Sequence, residues 1–536
     1  MSPDELQLKP LRWQDLALAA VSGVLLAMAF PGVDQAWLAW VALVPLALVA
    51  FHPRRKRSMA MLFSAFGAGF YLVLLYWFLA MHPLTWLGFS EVASIAIVLS
   101  AWLGFSFLLV LQLAGFGFVY GWMTQGWGRA GWKHMLALAL GWTTLEWLTS
   151  LGMFGFTWGN LALTQYKTLP MLQVLDLVGP FPLAAVIVGF NGALALAIRR
   201  QVGRPFALAN WKPVGVAVVP VALVAGYGAI RLGDKLPDTT FSVEIVQGNI
   251  HGGEKFSKGP GALERTLDKY LALSGRDTKT DLVIWPETAV PTYFRNQPAL
   301  YQRVQQAAQA ENRYYMVGTL DWTGNPPTDF QVYNAVGALG PRGESLGFDY
   351  KRHLVPFGEY VPFRNSLPEP FKSMVGQINI LAIDFSPGID PHLFEFPFAK
   401  IGAGVCYDGI FPDAVRPTVA KGAEVVALVT NDAWYKDTTA PRVLNAHAVL
   451  RAVENKRWIL RAANTGISSV IDPVGNIQGA TPVYQDATLV GRAAPMKELT
   501  LYTRFGDWAS GLAGLGFVAL MLDRWKNRRR KAAEAV

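Results

Sequence analysis

Apolar residues are unevenly spread along the 536-residue chain, in long stretches before residue 232 and in short runs after it. A helix crossing a hydrocarbon core about 30 Å thick needs about 20 mostly apolar residues. Seven stretches approach that length: 16–30, 37–51, 59–80, 92–123, 135–151, 171–198 and 214–230; an eighth covers 508–522. The pattern predicts an α-helical membrane bundle of eight spans. Residues 1–232 form a seven-helix region, 233–500 a domain outside the bilayer, and 501–536 an eighth helix with a basic tail. A cleaved signal peptide is the competing reading of the first stretch, which is short and followed by small residues.

Between about residues 238 and 491 the period changes. Short β-rich runs at 242–247, 282–285, 314–318, 332–339, 401–406, 425–430, 459–463 and 468–472 alternate with amphipathic segments at 261–274, 298–312 and 438–456. Strands alternating with helices predict a layered α/β fold. Three runs end in polar residues, at Trp285-Pro286-Glu287, Cys406-Tyr407-Asp408 and Thr430-Asn431-Asp432. Ligand sites in open α/β sheets lie beyond the carboxyl ends of strands, so these endings are expected to share a pocket.

Charge changes the picture in one respect. Only 16% of residues are charged, against about 25% in soluble domains. The net charge of +9 would raise nucleic acid as a partner, but the positions of the basic residues remove the support for that reading. Eighteen of them lie at the N-terminus, after the second, fourth and sixth stretches, and in the tail; the alternate short loops hold only Lys167. The positive-inside rule then puts both termini in the cytoplasm and the 233–500 domain on the opposite side. Glu146 and Asp176, acids within apolar stretches, are either functional or paired with a neighbouring helix. No charged series crosses several spans, which argues against an ion pathway.

Cys406 is the single cysteine, so no internal disulfide is available to it. A lone cysteine reads most simply as a small buried hydrophobe. Its place after Ile401-Gly402-Ala403-Gly404-Val405 leaves room around the sulfur. Glu287 follows a strand-like run and Pro286, whose fixed φ shapes the turn; the alternative is a surface helix cap. Lys351 and Glu359 lie in a segment from 351 to 362 that otherwise reads as a solvated loop with an ion pair. Together, a glutamate, a lysine and a cysteine closing separate segments supply a base, an oxyanion stabiliser and a nucleophile for acyl transfer.

These residues carry a resemblance. Trp285-Pro286-Glu287-Thr288-Ala289, Lys351-Arg352-His353-Leu354-Val355-Pro356-Phe357-Gly358-Glu359 and Val405-Cys406-Tyr407-Asp408 resemble the three catalytic segments of the nitrilase superfamily, in its membrane-bound branch, the apolipoprotein N-acyltransferases. Val246-Gln247-Gly248-Asn249, Thr430-Asn431-Asp432-Ala433-Trp434 and Arg461-Ala462-Ala463-Asn464-Thr465-Gly466 match the same branch. The resemblance implies an αββα nitrilase-like sandwich with Glu287 as general base, Lys351 as oxyanion stabiliser, Cys406 as nucleophile and Glu359 as a supporting carboxylate. It implies substrate contacts at Tyr407, Asp408, Phe256, Trp434 and Ile380, and no metal or cofactor.

The implied partners are a phospholipid donor, typically phosphatidylethanolamine, a diacylated apolipoprotein acceptor and the bilayer of a bacterial inner membrane, with the catalytic domain periplasmic. A membrane-tethered amidase and a non-catalytic lipid-binding protein are the rival readings. Three positions depart from the family pattern: Asp408 for Glu, Phe256 for Trp and Thr157 for Pro. An ordinary thiol near pKa 8.5 needs about 2 kcal/mol to ionise at pH 7, whereas one oxyanion donor is worth roughly 3 to 4 kcal/mol. Lys351 is therefore expected to act mainly on the oxyanion. The apolar segment 374–381, flanked by Pro368, Pro370 and Pro387, is expected to be either a mobile lid dipping into lipid or a packed loop.

Overall fold

The computed structural model describes the chain apart from residues 1–7, 129, 256–260, 276–278, 326–328, 364–365, 367, 370–383 and 534–536. Phe256, Ile380 and the segment 374–381 lie outside the described residues.

Among the described residues, four helical segments are long and apolar enough to cross a membrane: Lys56–Met81, Glu91–Thr124, Leu183–Gln201 and Leu208–Arg231. The other four expected stretches are helical in whole or in part. The first is the 15-residue helix Trp13–Ala27. The second breaks into a 3-10 turn, Ala36–Trp40, and a short helix, Val44–Ala50, with Pro45 in its first turn. The stretch at 135–151 forms the helix Trp132–Thr149, and the last forms Trp508–Ala533, whose second half is basic. The stretch at 171–198 is not continuous: the short helix Leu175–Val178 ends at Gly179, with φ +79°, and two prolines delay the next helix to Leu183.

Helix Trp13–Ala27 packs closely on the helix Lys56–Leu74. A Cβ on Gly23 would fall 2.1 Å from the Phe66 oxygen, so the backbones approach as only glycine permits. The two acids within apolar stretches both have neighbours. Asp176 pairs with Arg231 at 2.9 Å and accepts from Tyr227 at 2.8 Å. Glu146 accepts from Trp142 Nε1 at 2.9 Å and from the Leu161 N–H at 3.2 Å.

The remaining domain is two stacked sheets. One contains β1 (Phe241–Gln247), β2 (Leu282–Ile284), β3 (Val290–Tyr293), β4 (Tyr314–Thr323), β5 (Gln331–Leu339) and β6 (Ser345–Tyr350). The other contains β7 (Leu393–Glu395), β8 (Lys400–Val405), β9 (Val425–Thr430), β10 (Trp458–Ala463), β11 (Ser469–Ile471) and β12 (Ile477–Ala480). The last strand, β13 (Ala487–Ala493), returns to pair antiparallel with β1. The orders are β13-β1-β2-β4-β5-β6, with β3 on β4, and β12-β11-β10-β9-β8-β7. The central strands β1, β2 and β4 run parallel, as do β8, β9 and β10.

Both faces of each sheet are covered, which is why the central strands read as continuous apolar runs. Leu282 and Ile284 of β2 join Ile401, Ala403 and Val405 of β8 and Ala427 of β9 in the core between the sheets. Val283, one residue out of phase, joins Leu267 and Val304 from the helices Ala262–Ser274 and Pro298–Glu311. Val426 and Leu428 of β9 belong to a third core, which runs through the helix Ala440–Asn455 into membrane-region residues such as Phe66, Phe156 and Leu172. The layers are therefore helix, sheet, sheet, helix, and the last helical layer rests on the membrane region.

One contact in the first sheet bears on function. A Cβ on Gly318 of β4 would lie 2.1 Å from the Pro286 oxygen and 2.7 Å from Glu287 Cα. The turn carrying Glu287 is seated directly on the strand backbone. Gly318→Ala is expected to cost about 1–3 kcal/mol through overpacking, read as a lower thermal unfolding midpoint in detergent; an unchanged midpoint would mean the turn can retreat.

Candidate active site

Three chain reversals converge at the carboxyl ends of the parallel strands. β8 ends at Val405, and Cys406 opens a 3-10 turn, Cys406–Ile410, with φ +49°. A non-glycine residue in that region is strained by about 1–3 kcal/mol and persists only where its surroundings hold it. Asp408 is the main restraint. Its fully buried carboxylate accepts from the backbone N–H groups of Val405 at 3.0 Å, Arg352 at 3.1 Å and His353 at 2.7 Å. One carboxylate thus ties the cysteine turn to the segment that follows Lys351. The aspartate is long enough for this, and all of these acceptor contacts are to backbone.

The far end of the turn is also pinned. The Ile410 oxygen accepts from Arg451 Nη1 at 2.8 Å and from Thr157 Oγ1 at 2.9 Å, while the Tyr407 hydroxyl donates to the Gly155 oxygen at 3.1 Å. Gly155 and Thr157 belong to the loop after the helix Trp132–Thr149, so the nucleophile segment is fastened to the membrane region. Thr157 supplies that donor through its hydroxyl, which a proline at this position would lack.

Lys351 directly follows β6, and its N–H bonds to the Asn334 oxygen at 2.9 Å. The side chain is buried, with Nζ 2.9 Å from Glu359 Oε1 and 3.6 Å from Glu287 Oε1. Asn334 Nδ2 donates to both carboxylates, at 2.7 Å to Glu287 and 2.9 Å to Glu359. The second oxygen of Glu359 accepts from the Val355 N–H at 2.8 Å. Residues 355–359 therefore fold back so that Glu359 meets the lysine eight positions before it. Asn334 was not singled out in the sequence; its signal is an amide in the middle of an otherwise apolar strand, Gln331–Leu339.

Electrostatics unites these residues with Cys406. Burial, followed by the Glu287 charge, pushes the Cys406 thiol up to about 12, while Lys351 and a hydrogen bond with Thr430 pull it down. Burial works against the Lys351 ammonium, but the charges of Glu359, Cys406 and Glu287 outweigh it and hold its pKa well above the usual lysine value. The resting state is a neutral thiol beside a charged lysine. Ionising that thiol alone at pH 7 would cost on the order of 7 kcal/mol, more than the cost for an ordinary thiol. A free thiolate is therefore disfavoured in the resting site, and the Glu287 charge is near enough to the sulfur to oppose it.

Trp434 stands further out. Its ring lies 5.1 Å from that of Trp86, and the two help to line a small cleft with Met81, Gly252, Asn431 and Lys436. Met153, Phe154, Phe357 and Phe363 are 45–63% exposed; the Phe154 and Phe363 rings lie 6.4 Å apart, and Met153 and Phe154 directly precede Gly155, whose oxygen holds the Tyr407 hydroxyl. Among the described residues there is no cluster of three or more His, Cys, Asp or Glu side chains that could hold a metal ion.

Residues 243–493 match the carbon-nitrogen hydrolase family, and residues 22–193 match the apolipoprotein N-acyltransferase N-terminal domain. The chain is 33% identical over 520 residues to the apolipoprotein N-acyltransferase of Geobacter metallireducens, covering 96% of each. It is 32% identical over 521 residues to that of Gloeobacter violaceus, covering 94% of this chain and 93% of the relative. A solved amidase from Nesterenkonia sp. is 20% identical, covering 52% of this chain and 97% of its own, with a TM-score of 0.36. With both models matched in order and relatives aligned over nearly their whole length, the chain belongs to the apolipoprotein N-acyltransferase family of the nitrilase superfamily.

Proposed function

We propose that this acyltransferase moves an acyl chain from a membrane phospholipid to the N-terminal amine of a diacylglyceryl-cysteine lipoprotein, the last step of bacterial lipoprotein maturation, through a thioester on Cys406. The observation that carries the residue roles is the Lys351 ammonium held between Glu359 and Glu287 beside the single cysteine. In the first half-reaction, Cys406 Sγ attacks the ester carbonyl as its proton passes to Glu287. The tetrahedral oxyanion is stabilised by Lys351 and the Tyr407 N–H, and Glu287 returns the proton to the departing lysophospholipid. In the second half-reaction, the lipoprotein amine attacks the thioester, and Glu287 takes the amine proton and passes it to sulfur. Asn334 and Glu359 hold both charged partners in place throughout.

The donor is phosphatidylethanolamine in this reading, with its headgroup near the Trp86 and Trp434 cleft and its chain along Met153, Phe154, Phe357 and Phe363. Exposed apolar side chains in the loop that anchors Tyr407 support that route, because extracting a chain from lipid costs about 0.8 kcal/mol per CH₂. The Lys and Arg bias of the loops supports eight spans, cytoplasmic termini and a periplasmic catalytic domain in the inner membrane.

The deciding experiment incubates purified protein with phospholipid, measures an acyl adduct on Cys406 by intact mass, and then adds a diacylated lipopeptide. Transfer to the peptide is expected; release of free fatty acid as the main product would make the protein a hydrolase instead. Cys406→Ala is expected to abolish the adduct, and Lys351→Met to slow its formation by roughly 100-fold or more; adduct formation at the normal rate in either variant refutes the assignment. Thr157→Val removes one of two anchors on the Ile410 oxygen and is expected to slow acylation roughly 3- to 10-fold without changing the phospholipid KM. A raised KM with an unchanged rate would place Thr157 in substrate binding.

A further inference from the structure

Lys255 is a buried charge that the steps above leave unused. It closes the short turn Gly252–Lys255, retains 4% exposure, and its Nζ donates to the Glu287 backbone oxygen at 2.9 Å. That oxygen immediately precedes Thr288, which has φ +46°. The bond therefore holds the strained turn from which the Glu287 carboxylate projects. We propose that Lys255 is a positioning residue that fixes Glu287 and supplies the second positive charge of the site, an inference that rests on the acyl-transfer reading.

The charge balance explains the need. At rest, Glu287 and Glu359 are matched by Lys351 and Lys255. When the sulfur–carbon bond forms, the carbonyl π pair moves to oxygen and the thiol proton moves to Glu287, so one negative charge shifts from Glu287 to the substrate oxygen. The summed charge of these four side chains and the substrate stays at zero, and Asp432 beside them is paired with Arg461. Without Lys255 the same step takes place in a pocket with one excess negative charge, where a developing oxyanion is disfavoured.

The charged groups facing Lys255 support a further consequence. Burial lowers its pKa to about 8, against the opposing pull of Glu287 and of Cys406. On its own turn, His251 and Glu254 are exposed. Lys351 stays charged far above this range, and the Cys406 thiol sits at about 12. Lys255 carries its charge below pH 8 and loses it above, so the acylation step is expected to slow as the pH rises through about 8.

The test is the single-turnover rate of Cys406 acylation by dioleoyl phosphatidylethanolamine in detergent micelles, followed by intact mass between about pH 6 and 9.5. Arginine stays protonated throughout, so Lys255→Arg is expected to move the alkaline decline upward by about one pH unit or more. Lys255→Met is expected to acylate roughly 100-fold more slowly, with no decline near pH 8 and an unchanged phospholipid KM. A merely structural lysine would alter the rate without moving the decline. A wild-type rate in Lys255→Met, or the same alkaline decline in wild type and Lys255→Arg, overturns the proposal. If Lys255→Met does not fold, Lys255→Arg decides alone. A wild-type chain that forms no adduct overturns the acyl-transfer reading and this inference with it; an adduct with unshifted variants overturns this inference only.

Discussion

The site depends on one ammonium kept charged out of water. Removing a lysine charge from solvent costs several kcal/mol and is tolerated only when opposite charge and full hydrogen bonding surround it. Lys351 obtains opposite charge from Glu359 and Glu287 and donates a hydrogen bond to Glu359, while Asn334 bridges the same two carboxylates, so each element of the network fixes another. That requirement accounts for the turn at 355–359, for an amide inside β5 and for the seating of the Glu287 turn on Gly318. The sulfur is left protonated chiefly because it is buried, and the nearby Glu287 charge opposes a thiolate further than Lys351 can offset.

What the sequence disclosed follows the physics of burial. The eight expected strands are all present within about one residue, except that β4 runs on to Thr323, and they include the parallel centres of both sheets, whose two buried faces make them apolar throughout. The five strands it did not disclose are β3, off the main path, and β6, β7, β12 and β13, which are the four sheet edges. Edge strands are half wet and carry little apolar pattern; Ile477–Ala480 is mostly exposed, and Ser345–Tyr350 contains a glycine at φ +101°. The helix Pro412–Ala420 was hidden by its internal Pro417. In the membrane region, hydropathy marked the apolar stretches but not where Gly179 and its neighbouring prolines interrupt one of them.

The same division holds at the site. Glu287, Lys351, Glu359 and Cys406 were legible because each closes a recognisable segment. Asn334, Lys255 and Arg451 were not, because they act on backbone or on other side chains across long sequence separations, and no local pattern encodes that. Asp408 was legible as a position but not as a role. Only the fold shows its oxygens turned onto three backbone N–H groups, clamping two segments that lie more than fifty residues apart.

The helix Ala440–Asn455 has a different significance. Every residue in it except Arg442 is buried, with one side against β9 and β10 and the other against membrane-region elements. A sandwich living free in water would have to present that outer side as a hydrated surface. Here there is no such surface to present, so excising the two-sheet domain would bare a greasy flank and invite aggregation. The two-sheet domain and the apolar helices consequently share one core, and natural variation in either half is constrained by the other.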